Sequence, residues 1–73
     1  MILISQDKST VVELKTLWWE EFAGVYTIYH KSDGEGASSC QILGKYPTKE
    51  VAIAQIEAIA KALEDGKQVY RFD

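Results

Sequence analysis

Apolar residues in TKEVAIAQIEAIAKALEDG, Thr48 to Gly66, recur at three- and four-residue spacing and predict one amphipathic helix over Thr48 to Asp65. At about 100° per residue, Ala52, Ile53, Ile56, Ile59, Ala60 and Leu63 fill one arc roughly 120° wide. Pro47 disfavours helix at Tyr46, and the Thr48 hydroxyl can accept from a backbone N–H of the first turn. Val51 stands where a capping box would need Glu, so the cap is incomplete. Gly66 can take the left-handed conformation that ends a helix. Burying Ile53, Ile56, Ile59 and Leu63 stabilises by about 1.5–3 kcal/mol each, against about 1–2 kcal/mol of backbone entropy for every residue ordered. The helix therefore needs an apolar platform from the rest of the chain.

That platform reads as short strands. Ile2-Leu3-Ile4 is a β-prone run ended by the turn-forming Ser5-Gln6-Asp7-Lys8-Ser9, and Thr10 to Leu14 is a second, weaker one. Leu17 to Phe22 and Val25 to Lys31 carry the clearest β signal, and Ala23-Gly24 joins them as a hairpin. Alternation sets Tyr26, Ile28 and His30 on one face and Val25, Thr27 and Tyr29 on the other. A turn at Asp33-Gly34-Glu35-Gly36-Ala37 returns Ser39 to Tyr46 as a further strand, with Cys40 and Ile42 expected to point inward. Gln68 to Phe72 closes the chain as a strand added to the sheet. The expectation is a single α+β domain over residues 1–73: an antiparallel sheet of about five or six short strands, with one helix packed on one face.

Composition narrows the function classes. A 73-residue chain buries only about 60% of its unfolded surface, so its core is marginal and self-association would support it. The net charge is −3, and the eight basic residues are spread without a cluster, which disfavours nucleic acid. Cys40 is the single cysteine, which precludes an intrachain disulfide and suits a reducing cytoplasm. Met1 to Ile4 is too short for a signal or spanning segment, so no membrane association is expected.

Two stretches, ILISQDKS (Ile2 to Ser9) and LGKYPTKEVAIAQIEAIAKAL (Leu43 to Leu63), resemble a family of small uncharacterised proteins of Gram-positive bacteria and their phages and prophages. The likeness frames most of the chain, but not the middle with Trp18-Trp19 and DGEGASS. It implies a cytoplasmic protein of a kind carried by mobile elements and brings no catalytic residue.

Candidate chemistry is sparse. His30 and Cys40, each the sole residue of its type, could meet on neighbouring strands as base and nucleophile, but no third group is identifiable to orient the imidazole. Both read as packed strand residues. No ligand spacing for zinc or calcium is present, and Asp33-Gly34-Glu35 has too few ligands for a calcium loop. Glu20 and Glu21 diverge as neighbours on a strand, and no helix follows Gly34-x-Gly36 to hold a phosphate. The expectation is a non-enzyme without cofactor or metal.

Two features point outward. Trp18 and Trp19 face opposite sides of their strand, so one indole projects from the core and can anchor a partner. Val51, Ala58 and Ala62, with Ala54 beside them, form a smooth strip away from the helix core stripe. Together they predict a protein-interaction module, homodimeric and open to an unidentified protein partner, whose contact is either this strip or an edge strand. A single-stranded nucleic-acid reader using strand aromatics is the alternative, and a minimal enzyme a more distant one.

Overall fold

The computed structural model describes residues 1–31 and 40–73. Along the chain run β1 (Ile2–Ile4), β2 (Val11–Glu13), β3 (Thr16–Phe22), β4 (Val25–Lys31), β5 (Cys40–Tyr46), α1 (Lys49–Glu64) and β6 (Val69–Arg71). The turn expected over 33–37 and the expected strand start at Ser39 lie outside the described residues. The fold is α+β, with its strands in two three-stranded sheets, ordered β2-β1-β6 and β3-β4-β5. β1 pairs antiparallel with β2 but parallel with β6, so the closing strand runs alongside the opening one.

The hairpin forms where the pattern places it. Ala23 and Gly24 both have positive φ, 53° and 80°, the primed-turn geometry whose twist matches paired strands. The Gly24 N–H donates to Glu21 Oε2 at 2.8 Å, which holds the turn from one side. On β5 the register slips by one residue: Ile28 pairs with Gly44 and Tyr29 with Ile42, leaving Leu43 as a bulge. The bulge breaks strict alternation, so the consecutive residues Leu43 and Gly44 are both buried. It also corrects the expected inward face. Cys40 and Ile42 lie beside Lys31 and Tyr29 on the face away from the core, and both are exposed. Gly44 is required for space, because a Cβ there would lie 2.6 Å from the Tyr46 hydroxyl folded over it.

Leu3, Ile28, Leu43, Tyr46, Ala52, Ile59 and Phe72 form the core, drawn from both sheets and the helix. Thr48 caps α1 as expected, accepting from the Val51 N–H at 3.2 Å. The helix is rotated roughly 60° from the orientation that apolar spacing predicts. Its buried residues are Ala52, Gln55 and Ile59, while Ile53 and Ile56 are half-buried, Ala60 is exposed and Leu63 is 49% exposed. The polar partners of Gln55 account for the rotation: its Oε1 accepts from the Tyr70 hydroxyl at 2.7 Å and the Asp73 N–H at 3.5 Å. A buried amide so satisfied avoids the desolvation penalty of an unpaired one.

Polar contacts also fasten one sheet to the other. In the turn after β1, Asp7 Oδ1 accepts from the Ser5 hydroxyl, the Ser9 N–H and the Ser9 hydroxyl at 2.7–3.0 Å. These bonds hold the exposed Asp7 carboxyl well below the ordinary carboxylate range, at about 2, with the Ser9 hydroxyl the largest contributor. The turn so shaped lays Gln6 along the outer edge of β5: the Gln6 N–H donates to the Leu43 carbonyl at 2.7 Å, and Gln6 Oε1 accepts from the Lys45 N–H at 3.0 Å. At the far end, the Tyr46 hydroxyl donates to the Asp73 carbonyl at 2.9 Å. Burial pushes the Tyr46 phenol up to about 12, with Tyr70 and Asp73 adding to the shift.

Ile59→Ala should cost about 2–5 kcal/mol in urea unfolding and Leu63→Ala clearly less, because only Ile59 is enclosed; equal losses would show that the helix faces the other way. The pH dependence has a definite sign at both ends. Asp7, depressed in the fold, contributes stability above its unfolded value, and that stability is lost as pH falls toward about 2. Tyr46, raised in the fold, contributes below about 10, and that contribution is lost as pH rises through about 12. Amide shifts of Ser9 from about pH 5 to 1.5 and phenolate absorbance from about pH 9 to 12.5 check the two ends.

Candidate functional site

The register of β3, β4 and β5 sorts their side chains into two faces. Leu17, Trp19, Tyr26, Ile28, His30 and Tyr46 lie on the face toward the core. The opposite face is built in rows across the strands: Thr16, Lys31 and Cys40; then Trp18, Tyr29 and Ile42; then Glu20, Thr27 and Lys45; and Phe22 with Val25 at the hairpin end. Phe22 is 84% exposed, Ile42 46% and Val25 40%. A shallow groove of about 350 Å³ runs between Phe22, Tyr29, Ile42 and Lys45.

The two indoles separate as strand geometry requires. Trp18 is the outward one, its ring stacked on Tyr29 with centroids 5.6 Å apart and planes 20° from parallel. Its Nε1–H donates to Glu20 Oε2 at 3.0 Å, which ties the carboxylate to the indole edge. Trp19 turns inward against Tyr26 at 5.8 Å, with the Lys49 ammonium 5.8 Å from its ring centroid. Both indoles are half-buried, so Trp18 presents an edge rather than a whole ring.

The helix strip is placed less openly. Val51 is 40% exposed and Ala54 exposed, whereas Ala58 and Ala62 are half-buried by the rotation of α1. Glu50, Glu57, Lys61 and Glu64 stand on the outer side of the helix around Ile53 and Ala54. These charges flank the exposed Ala54 and Ala60 on that side.

His30 and Cys40 are not brought together. His30 is fully buried and pairs with Gln41, the neighbour of Cys40, so the two side chains leave opposite faces of the sheet. His30 Nε2 accepts from the Lys15 N–H at 3.0 Å, which places the ring proton on Nδ1, donated to Gln41 Oε1 at 3.1 Å. Both ring nitrogens are committed to structural bonds. Lys15 lies where the chain passes between sheets, the preceding Leu14 N–H donating to the Met1 carbonyl at 2.8 Å. His30 thus anchors the crossing point. Among the described residues no three His, Cys, Asp or Glu side chains gather as a metal site, and no helix is long and apolar enough to cross a membrane.

The sequence pattern missed Phe22, Val25 and Ile42 as surface residues. Their signal was present, since β4 is apolar or aromatic on both faces, but one covering helix does not reveal which face it covers.

Cys40, expected to be packed, is exposed, and this reverses the anticipated thiol behaviour. The folded protein should react with DTNB within roughly an order of magnitude of the rate for the urea-unfolded chain. Strong protection in the native state would place Cys40 beneath other residues and overturn the assigned β5 register.

Comparison of the chain with known protein families, curated proteins and solved structures finds no significant match.

Proposed function

We propose that this chain is a non-catalytic protein-interaction module that self-associates through the uncovered face of β3, β4 and β5. The observation that carries this reading is the exposure of Phe22, Val25 and Ile42 around the Trp18–Tyr29 stack, on a sheet whose other face forms the core. Covering apolar surface stabilises by about 25 cal/mol per Å², a gain that matters most to a small domain. Aromatic residues with a few polar groups at their margin are the usual composition of a protein contact. The resemblance of Ile2 to Ser9 and Leu43 to Leu63 to small proteins of Gram-positive bacteria and their phages and prophages implies a cytoplasmic protein of a kind carried by mobile elements and brings no catalytic residue.

The aromatic pair on an open sheet also favours a second reading, binding of single-stranded nucleic acid. Three features weigh against it. Trp18 and Tyr29 stack on each other, so each has one ring face already occupied. Glu20 sits at the indole edge, and the chain carries a net charge of −3, both of which repel phosphates.

Light scattering after size exclusion, from low to high micromolar protein, should show a mass rising from the 8.2 kDa of the monomer toward twice that value. Phe22→Glu and Ile42→Glu should abolish the rise while leaving the fold intact, because both side chains are exposed. Val51→Glu should leave the dimer unchanged; if it alone dissociates the dimer, the helix strip is the contact. Anisotropy of a labelled oligothymidine should not change, and salt-sensitive binding at micromolar protein would transfer the face to nucleic acid.

A further inference from the structure

The outer face of β3-β4-β5 carries more information than its apolarity, because its charges fall on particular strands. Glu20 on β3 and Lys45 on β5 both lie level with Thr27 of the central strand. They therefore stand at opposite ends of one row, next to the row of Trp18, Tyr29 and Ile42. Glu20 is held there by the 3.0 Å bond from Trp18.

Building on the self-association proposed above, we infer that the second copy packs face to face with its two-fold axis parallel to the strands, so that Glu20 of each protomer meets Lys45 of the other. Two sheets laid face to face can be related by an in-plane axis along the strands or across them. An axis along β4 keeps every row level with itself and exchanges β3 with β5. Trp18 then lies over Ile42 of the second copy, Tyr29 over its own counterpart, and Glu20 over Lys45 twice. An axis across the strands lays each strand over its own copy. If it passes through the charged row, Glu20 meets Glu20 and Lys45 meets Lys45. If it passes between the two rows, Glu20 covers the Trp18 indole and Lys45 covers Ile42. The first option opposes like charges and the second desolvates charges against apolar groups. An axis across the strands through the apolar row lays Trp18, Tyr29 and Ile42 over their own copies but sets Glu20 over Thr16 and Lys45 over Cys40, so neither charge meets its opposite. Only the axis along the strands brings both apolar row to apolar row and opposite charge to opposite charge.

Lys31 meets its own copy on this axis, but it lies in the end row, where a long side chain can carry its ammonium into water. Aligned sheets pack about 10 Å apart at about −30°, which keeps the rows in reach of their partners. Strands of this length span roughly 23 Å, and three of them roughly 14 Å, so the contact belongs to the small, reversible class of interfaces.

Charge reversal in pairs tests the axis. Glu20→Lys alone and Lys45→Glu alone should each raise the dimer dissociation constant by about tenfold, since each converts two attractive pairs into two repulsive ones. An equimolar mixture of the two variants should dimerise about as well as the parent chain. In the mixed dimer each substituted position faces the other variant's substituted position with opposite charge, and the remaining Lys45 of one chain faces the remaining Glu20 of the other. Sedimentation velocity across micromolar concentrations reads all three samples, and circular dichroism confirms that each single variant is folded. Undiminished dimerisation of the single variants, or no recovery in the mixture, overturns the axis while leaving self-association standing. A parent chain that stays monomeric throughout overturns both.

Discussion

One helix of sixteen residues has to cover two three-stranded sheets, and every other feature of the molecule adjusts to that shortage. At about 1.5 Å per residue, α1 is roughly 24 Å long and one helix wide. It can enclose Leu3, Ile28, Leu43 and Phe72 from one side, but it leaves nothing for the far face of β3-β4-β5. A domain with a further layer would cover that face, whereas this one leaves Phe22, Val25 and Ile42 in contact with water.

With so little apolar area available, polar contacts between distant segments take on the positioning of the elements. Gln6 on the edge of β5, His30 beneath the β2–β3 crossing, and Gln55 beneath Tyr70 and Asp73 each join pieces of chain far apart in sequence. The buried groups among these, His30 and Gln55, would be costly if left unpaired, and each contact forms only when the two segments it joins are in place. Gln6 also shields an edge of β5 that would otherwise offer unpaired backbone groups to another strand.

These constraints also give the sheet face and α1 different surfaces. The helix has turned its small residues partly inward and keeps Glu50, Glu57, Lys61 and Glu64 on its outer side. The outer sheet face differs, with aromatic and branched residues in two of its rows and charged residues in the other two. His30 has both nitrogens engaged, and Cys40 stands on an open face.

By itself the sequence determined the elements and their kinds. Thr48, the three-to-four spacing and Gly66 are local signals, and local backbone preference settled α1 within a residue or two of its observed ends. The hairpin at Ala23-Gly24, the opposed directions of Trp18 and Trp19, and the shared face of Ile28 and His30 follow likewise from a two-residue period that needs no partner strand. The tertiary structure alone decided how these pieces face one another. The bulge at Leu43 reversed Cys40 and Ile42, because inwardness on β5 is set by register against β4, which is a long-range pairing. The parallel union of β6 with β1 joins two strands far apart in the chain, and no local signal encodes it. The rotation of α1 toward Gln55 came from Tyr70 and Asp73, hydrogen-bonding partners that apolar periodicity cannot count. Which sheet face stayed uncovered was decided in the same way, since burial belongs to a side chain only after its neighbours have been placed around it.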